Sequence, residues 1–441
     1  MNNKKQPLIF YGWIVIGLAF LSMLVAYSLR YNFSVFYGAI LEYFGWGRGA
    51  TAAALSINLV VYALSCPLVG NLTDRFGIWY TDRFGIRRVV PIGAILLGLA
   101  LAACSQIAAI WQLYLLIAVT AFGSCAIGFI PHVPVIANWF PKRRGLALGI
   151  LNAGVTASAL LAPAMQYLIL ILGWQGAFLV LAGISVIVAP LAAAFQRQRP
   201  EDKGLVVDGT GEESAASQEI NLDELVMDKE WASRDWTPAR GVKAYRFWWL
   251  ILMCLFLGLC CYTFLVHQVA YLTDVGYTST FAAGIVAIFG ISATTGGVCT
   301  FISDRVGREV TFTIGSMSVL IGIVVLMLTQ NTLHSWMPYL YATMFGFGYG
   351  ICTGLMAVIS AELFQGKHFG VINGIVMSCF VVGGAIGPWF AGHIFDVTGS
   401  YAQAFPLMYF SICASTVFVW LASPRKVRSV PGKVKSAAKS K

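Results

Sequence analysis

Residues 70–88 read GNLTDRFGIWYTDRFGIRR, and the hexapeptide TDRFGI stands in it twice, at Thr73–Ile78 and Thr81–Ile86. A charged, glycine-bearing stretch is out of place in a chain of 441 residues that is 58% hydrophobic and only 11% charged. Its flanks explain it. On both sides run apolar segments long enough to cross a bilayer, and such runs recur along the chain, whose mean hydropathy is +0.76. A soluble chain of this length needs far more charge to cover its surface. The composition therefore points to a polytopic helical membrane protein, with the repeated hexapeptide in a loop between two spans.

At about 20 residues per crossing, twelve spans are expected. Six lie at roughly 10–40, 51–72, 89–107, 111–138, 145–171 and 175–195, and six more at roughly 246–269, 281–302, 310–329, 336–362, 370–393 and 402–422. The first is too long for a straight crossing and should tilt, kink or protrude. No small-residue cleavage site follows the basic N-terminus MNNKKQPLIF, which reads as the lead-in to a retained span. The expected fold class is all-α: twelve transmembrane helices in two pseudo-symmetric six-helix bundles, 1–195 and 246–422. A cytoplasmic linker, 196–245, joins them, and a basic tail, 423–441, follows. The linker is rich in Glu, Asp, Ser and Gly, with one short helix expected around Asn221–Trp231.

Orientation follows from Lys and Arg. The short loops on the side of the N-terminus hold ten of them, whereas the opposite loops hold only Arg48. Both termini are thus expected in the cytoplasm. The net charge of +10 reflects this bias plus a tail able to touch anionic lipid. Nucleic-acid binding is the rival reading of such a tail, but no folded domain or aromatic platform accompanies it. All ten cysteines fall in apolar segments without metal-ligand spacing and read as small buried hydrophobes. No metal, cofactor or enzyme chemistry is expected: there is no Ser/His/Asp grouping, P-loop or HExxH. The runs GFGYG (Gly346–Gly350) and GGAIG (Gly383–Gly387) lie in spans and read as helix-packing surfaces.

The two halves echo each other. SDRVGRE (Ser303–Glu309) stands in the second half where the doubled hexapeptide stands in the first. RRGLALG (Arg143–Gly149) matches HFGVING (His368–Gly374), with Gly145 and Gly370 separated by 225 residues. A parallel repeat of six spans is how two-domain transporters are built.

With these residues in place, a family resemblance becomes specific. Gly70-x-Leu72-x-Asp74-Arg75-x-Gly77, continuing as Gly85-x-Arg87-Arg88, resembles the inner-loop signature of the major facilitator superfamily, and Asp304–Arg308 resembles its degenerate second copy. Further pieces are similar to the monocarboxylate-porter branch, which includes bacterial oxalate/formate-antiporter-like proteins. They are YGWIVIG at Tyr11, FSVFYGAILEYFGWGR at Phe33, NWFPKRRGLALG at Asn138, RPEDKGL at Arg199, HQVAYLTDVG at His267 and AELFQGKHFGVINGI at Ala361, running on through GGAIGPWFAGHIFDVTGSY. The resemblance implies that Asp74, Arg75, Asp82, Arg83, Arg87, Arg88, Asp304, Arg305 and Arg308 form an inner gate. A carboxylate suits a helix N-terminus there and a guanidinium suits a carboxylate. The eight-residue insertion could lengthen span two by about two helical turns or bulge into the cytoplasm, and the doubling itself reads as a tandem duplication without a separate role, or as a two-part gate.

Within spans, an ionisable residue is a functional candidate by default. Tyr27, Arg30, Tyr31 and Ser34 make one polar stripe on span one. A permanently charged fork flanked by phenols suits an organic carboxylate; the plainer reading has Arg30 snorkelling to the outer interface. The branch's substrate-binding arginine of span eight falls here on Gly296. The lysine that some animal members carry in span one falls on Tyr31, and the lysine of span eleven has no counterpart between Gly370 and Ile394. One intramembrane cation favours a singly charged acid. His267 reads as a proton-exchanging or carboxylate-binding group, or as a structural hydrogen bonder. His132, between Pro131 and Pro134, reads as a proton carrier or as a partner for backbone freed by a kink. Asn58 and Asn152 line a cavity or bond between helices. Glu362 serves a latch or carries protons, and Asp274 and Asp396 are expected to be solvated in outer loops.

The function expected from all this is secondary active transport of a small organic monocarboxylate by alternating access, coupled to protons, by a monomer in the bilayer. The alternatives are carboxylate/carboxylate antiport, export of lipophilic compounds, and a non-transporting sensor of the same fold.

Overall fold

The computed structural model describes residues 10–79, 85–140, 144–197, 200, 226–365 and 368–428; for 67, 70–79, 85, 137 and 144–146 it describes the backbone alone. Seventeen α-helices carry the described residues. They are α1 (Tyr11–Tyr31), α2 (Phe33–Phe44), α3 (Arg48–Trp79), α4 (Gly85–Cys104), α5 (Ile110–Ile127), α6 (Phe129–Trp139), α7 (Arg144–Ala157), α8 (Ala162–Phe195), α9 (Lys229–Ser233), α10 (Pro238–Lys243), α11 (Tyr245–Val275), α12 (Ser279–Val298), α13 (Ser303–Val306), α14 (Arg308–Leu328), α15 (Trp336–Phe364), α16 (Phe369–Thr398) and α17 (Ala404–Ala422).

Eleven stretches of the described residues are long and apolar enough to cross a membrane. One of them, Ala147–Phe195, is 49 residues long. It is bent at Gly173, whose φ of 71° and ψ of 170° leave the helical region, so it supplies two crossings and the total is twelve. The overlong first span, Tyr11–Phe44, also carries a break but counts as one crossing. It breaks into α1 and α2 at Asn32, where φ is −103° and ψ 9°.

For the doubled hexapeptide, the alternative that the insertion lengthens span two holds for the first copy: α3 runs 32 residues and carries Thr73–Ile78 as helix, not loop. Nothing after Pro67 breaks the run except glycines, each costing about 1 kcal/mol in a helix interior. The second copy begins outside the described residues. Of the short linker helix expected around Asn221–Trp231, the described part is α9, which starts at Lys229, where Asp228 accepts from Trp231 N; residues 221–225 lie outside the described residues.

The described residues pack as two compact units. One is drawn from Met1–Leu29, Leu64–Ser158 and Gln175–Ser217, the other from Arg30–Ala63, Ala159–Trp174 and Gln218–Lys441. In the first unit α4 and α5 cross at close range: a Cβ on Gly123 would stand 2.8 Å from Leu97 N. In the second unit α11 packs on α16, α12 on α15 and α14 on α15. It also takes in α2 with the first turns of α3, from the first half of the sequence, and these pack against α11 and α16.

Candidate functional site

The last turn of α1 ends in Arg30 and Tyr31, just before the break at Asn32. Arg30 is 7% exposed. Its Nη2 and Nε donate to Asn58 Oδ1 at 3.0 and 3.3 Å, and its guanidinium carbon lies 4.2 Å from the ring centre of Tyr62. Asn58 and Tyr62 are one helical turn apart on α3, so a single helix face offers Arg30 both an acceptor and a π-face. The Tyr262 side chain on α11 lies close to Arg30 as well. Tyr31 and Tyr349 meet hydroxyl to hydroxyl at 2.9 Å, and Tyr349 lies close to Tyr262 as well. A cation, an amide and four phenols are therefore gathered from α1, α3, α11 and α15. The set can hold a carboxylate: the guanidinium supplies charge and the hydroxyls supply donors.

The second cluster joins the first turn of α3 to α11 and α16. Arg48 makes a forked ion pair with Asp274, at 2.6 and 2.7 Å, and donates to the Tyr401 hydroxyl at 3.0 Å. The Arg48 and Gly49 amides, first donors of α3, point at Asp396 Oδ1 and Oδ2 from 2.7 and 2.8 Å. Asp396 thus holds the N-terminus of a helix from the other half of the sequence. Next to it a Cβ on Gly392 would come within 2.6 Å of Gly49 Cα, so the two backbones touch. His267 is buried here. Its Nδ1 lies 2.9 Å from the Tyr401 hydroxyl and 3.4 Å from that of Tyr37, and its Nε2 lies 2.8 Å from the Pro388 carbonyl. A carbonyl only accepts, so Nε2 bears the proton and Nδ1 accepts from Tyr401. Burial pushes the Tyr401 phenol up to about 12, against the pull of Arg48, so it donates as a neutral group at any physiological pH. Asp274 and Asp396 are exposed, as expected, but they stand in the last turns of α11 and α16 rather than in loops, and both are also partners of Arg48 and its helix, because the ends of α3, α11 and α16 converge.

At the opposite ends, Arg308 pairs with Glu362 at 2.6 Å and with Asp304 at 2.7 Å, and donates to the Ser303 hydroxyl. Arg305 is exposed. In the other unit, Arg87 donates to the carbonyls of Ala194 and Gln196, at 2.7 and 3.1 Å, covering the open C-terminus of α8. Arg88 is exposed, and Asp74 and Arg75 sit on helical backbone. Asp82 and Arg83 lie outside the described residues. His132 is fully buried with Nδ1 2.8 Å from the Gly128 carbonyl, at the break between α5 and α6. Asn152 is exposed, and Tyr27 is buried beside Gly128.

Several residues of these clusters escape sequence reasoning. Arg48 looked like the lone exception to the charge bias, and that oddity was its signal. Tyr349 sits inside GFGYG, where Gly346, Gly348 and Gly350 let α15 press on its neighbours while the phenol turns to Tyr31. Gly296 explains a missing charge. A Cβ there would stand 2.1 Å from the Phe347 carbonyl, so the position is spent on the contact between α12 and α15.

Comparison with known proteins places this geometry. The sequence model of the Major Facilitator Superfamily matches residues 19–388. Mouse (Mus musculus) monocarboxylate transporter 11 is 26% identical over 438 residues, covering 95% of this chain and 89% of its own. Human (Homo sapiens) monocarboxylate transporter 2 is 26% identical over 426 residues, covering 93% and 84%. Among solved structures, a bacterial homolog of the human lysosomal transporter Spinster, inward-facing and occupied, aligns with a TM-score of 0.64 at 16% identity, over 95% of this chain and 98% of that one. The nucleoside transporter NupG aligns at 0.66 and 12% identity, over 93% and 99%. The structural likenesses speak to the fold. Twelve crossings, the echoed loops and the match across most of the chain lead to one conclusion: this multi-pass membrane protein belongs to the major facilitator superfamily, as a transporter related to the monocarboxylate porters and not an enzyme.

Proposed function

We propose that the chain carries a small organic monocarboxylate across the inner membrane of a bacterial cell by alternating access, coupled to a proton and working as a monomer with both termini in the cytoplasm. The observation that carries this reading is Arg30. A guanidinium 7% exposed, oriented by the Asn58 amide oxygen and the Tyr62 ring, puts a fixed positive charge within a span beside several phenols. Tyr31, Tyr262 and Tyr349 supply the hydroxyls that would complete a carboxylate's shell, with Tyr27 one turn earlier on α1. The names of the relatives support the substrate class.

In this reading the Arg48 cluster is the outer gate and the Arg308–Glu362–Asp304 cluster is part of the inner one, with Asp74, Arg75, Arg87 and Arg88 as its first-half members. His267 is the coupling group. Protonation turns its Nδ1 from acceptor into donor, which sets it against the Tyr401 hydroxyl and loosens the outer closure. The bonds of Glu362 to Arg308 and of His132 to the Gly128 carbonyl favour gate and structural roles for those two.

The test is uptake into proteoliposomes of labelled formate, lactate, pyruvate and oxalate, with and without a pH gradient. The reading predicts uptake of a monocarboxylate, raised by an inward proton gradient and lost in Arg30→Gln. Exchange that needs a carboxylate on both sides and ignores the gradient would replace symport by antiport. Uptake of no acid would refute the proposal.

A further inference from the structure

We infer that the groove between α14 and α17 is a binding site for one anionic glycerophospholipid, its acyl chain in the groove and its phosphate at Arg425 and Lys426. The groove has a volume of about 380 Å³. Its walls include Met317 and Leu320 from α14 and Cys413 and Val417 from α17, and Met317 and Val417 are more than half exposed. On a membrane span, such exposure faces lipid, so the occupant comes from the bilayer.

One end of the groove differs from the rest. Trp420 is pinned by its indole N–H to Thr313 Oγ1 at 2.9 Å, and the Arg425 guanidinium lies 4.5 Å from its ring centre. Tryptophan with its polar edge engaged is suited to headgroup depth. The Arg425 side chain is 51% exposed, and its Nε stands 3.9 Å from Glu309. The Glu309 carboxylate takes its close bond from the Arg425 backbone N–H at 2.9 Å, so it fixes where the chain turns and leaves the guanidinium over the groove's end. Lys426 is exposed beside it. Arg425 at the mouth of an apolar slot, with Lys426 next to it along the chain, complements a phosphate joined to a hydrocarbon tail. A zwitterionic lipid would bring a further cation to the same place. This site is independent of the carboxylate reading.

The full chain is reconstituted in nanodiscs holding equal phosphatidylglycerol and phosphatidylcholine, extracted, and weighed by native mass spectrometry. The inference predicts one retained phosphatidylglycerol per chain. Arg425→Gln with Lys426→Gln should lower its retention on the order of tenfold or more, each cation near an anionic headgroup contributing about fivefold. Arg425→Lys should keep the preference, which guards against a folding defect. Cys413→Phe, which fills the slot, should lower retention with the charges intact. Equal retention of both lipids by the wild type, or unchanged retention in the double glutamine variant, overturns the inference. So does a dimer that Cys413→Phe abolishes, since a second copy would then be the occupant.

Discussion

Arg30 carries a charge that cannot be titrated away, so within a span it persists only if its surroundings are built around it. Asn58 and Tyr62 do this from one face of α3. Replacing Asn58 by alanine leaves two guanidinium N–H groups without their acceptor, at a cost of about 1–3 kcal/mol. Asn58→Ala should therefore lower the denaturation midpoint of the purified protein and raise the KM for the transported acid more than it lowers the maximal rate. Tyr349→Phe removes one hydroxyl and leaves the ring, so its effect should fall on KM alone, by about threefold to tenfold; uptake kinetics check both. At this scale the sequence was partly legible. Arg30 stands out because charge in a span is rare. Tyr62, Tyr262 and Tyr349 do not, because phenols are ordinary in spans and only the approach of α3, α11 and α15 makes them partners.

Helix ends decide the second cluster. The Arg48–Asp274 pair is partly exposed, Asp274 by 38%, so it contributes on the order of 1 kcal/mol or less after screening. Asp396 at the N-terminus of α3 contributes a further 0.3–1 kcal/mol or so. Each alone is small beside the few kcal/mol that separate two conformers; together they shift a population about tenfold. Asp274→Asn with Asp396→Asn should then speed amide hydrogen exchange over 46–56 about tenfold, while either single variant does so by less. Gly392→Val acts differently: its side chain would meet Gly49 Cα at 2.6 Å, so it should block the approach of α3 to α16 and abolish uptake with expression intact. Of this only the oddity of Arg48 was readable beforehand. Hydropathy puts Asp274 and Asp396 at the ends of spans but is silent on which ends meet.

For the whole molecule, the period of the apolar runs and the echo between halves made twelve crossings legible; the break at Gly173 separates two of them, and the break at Asn32 bends the overlong first one. The doubled hexapeptide is read more fully in the structure. Its first copy extends α3 by about two turns. Deleting Thr73–Tyr80 should leave one copy at the start of α4 and preserve uptake; loss of uptake with normal expression would make both copies parts of the gate. The central claim concerns the Arg30 guanidinium and the phenols around it, and binding tests it without the complications of flux. Purified wild-type protein and Arg30→Gln should be titrated with the labelled acid in a scintillation proximity assay. The account predicts saturable binding by the wild type and a loss of about 10- to 100-fold in Arg30→Gln; equal affinity in the two proteins would contradict it.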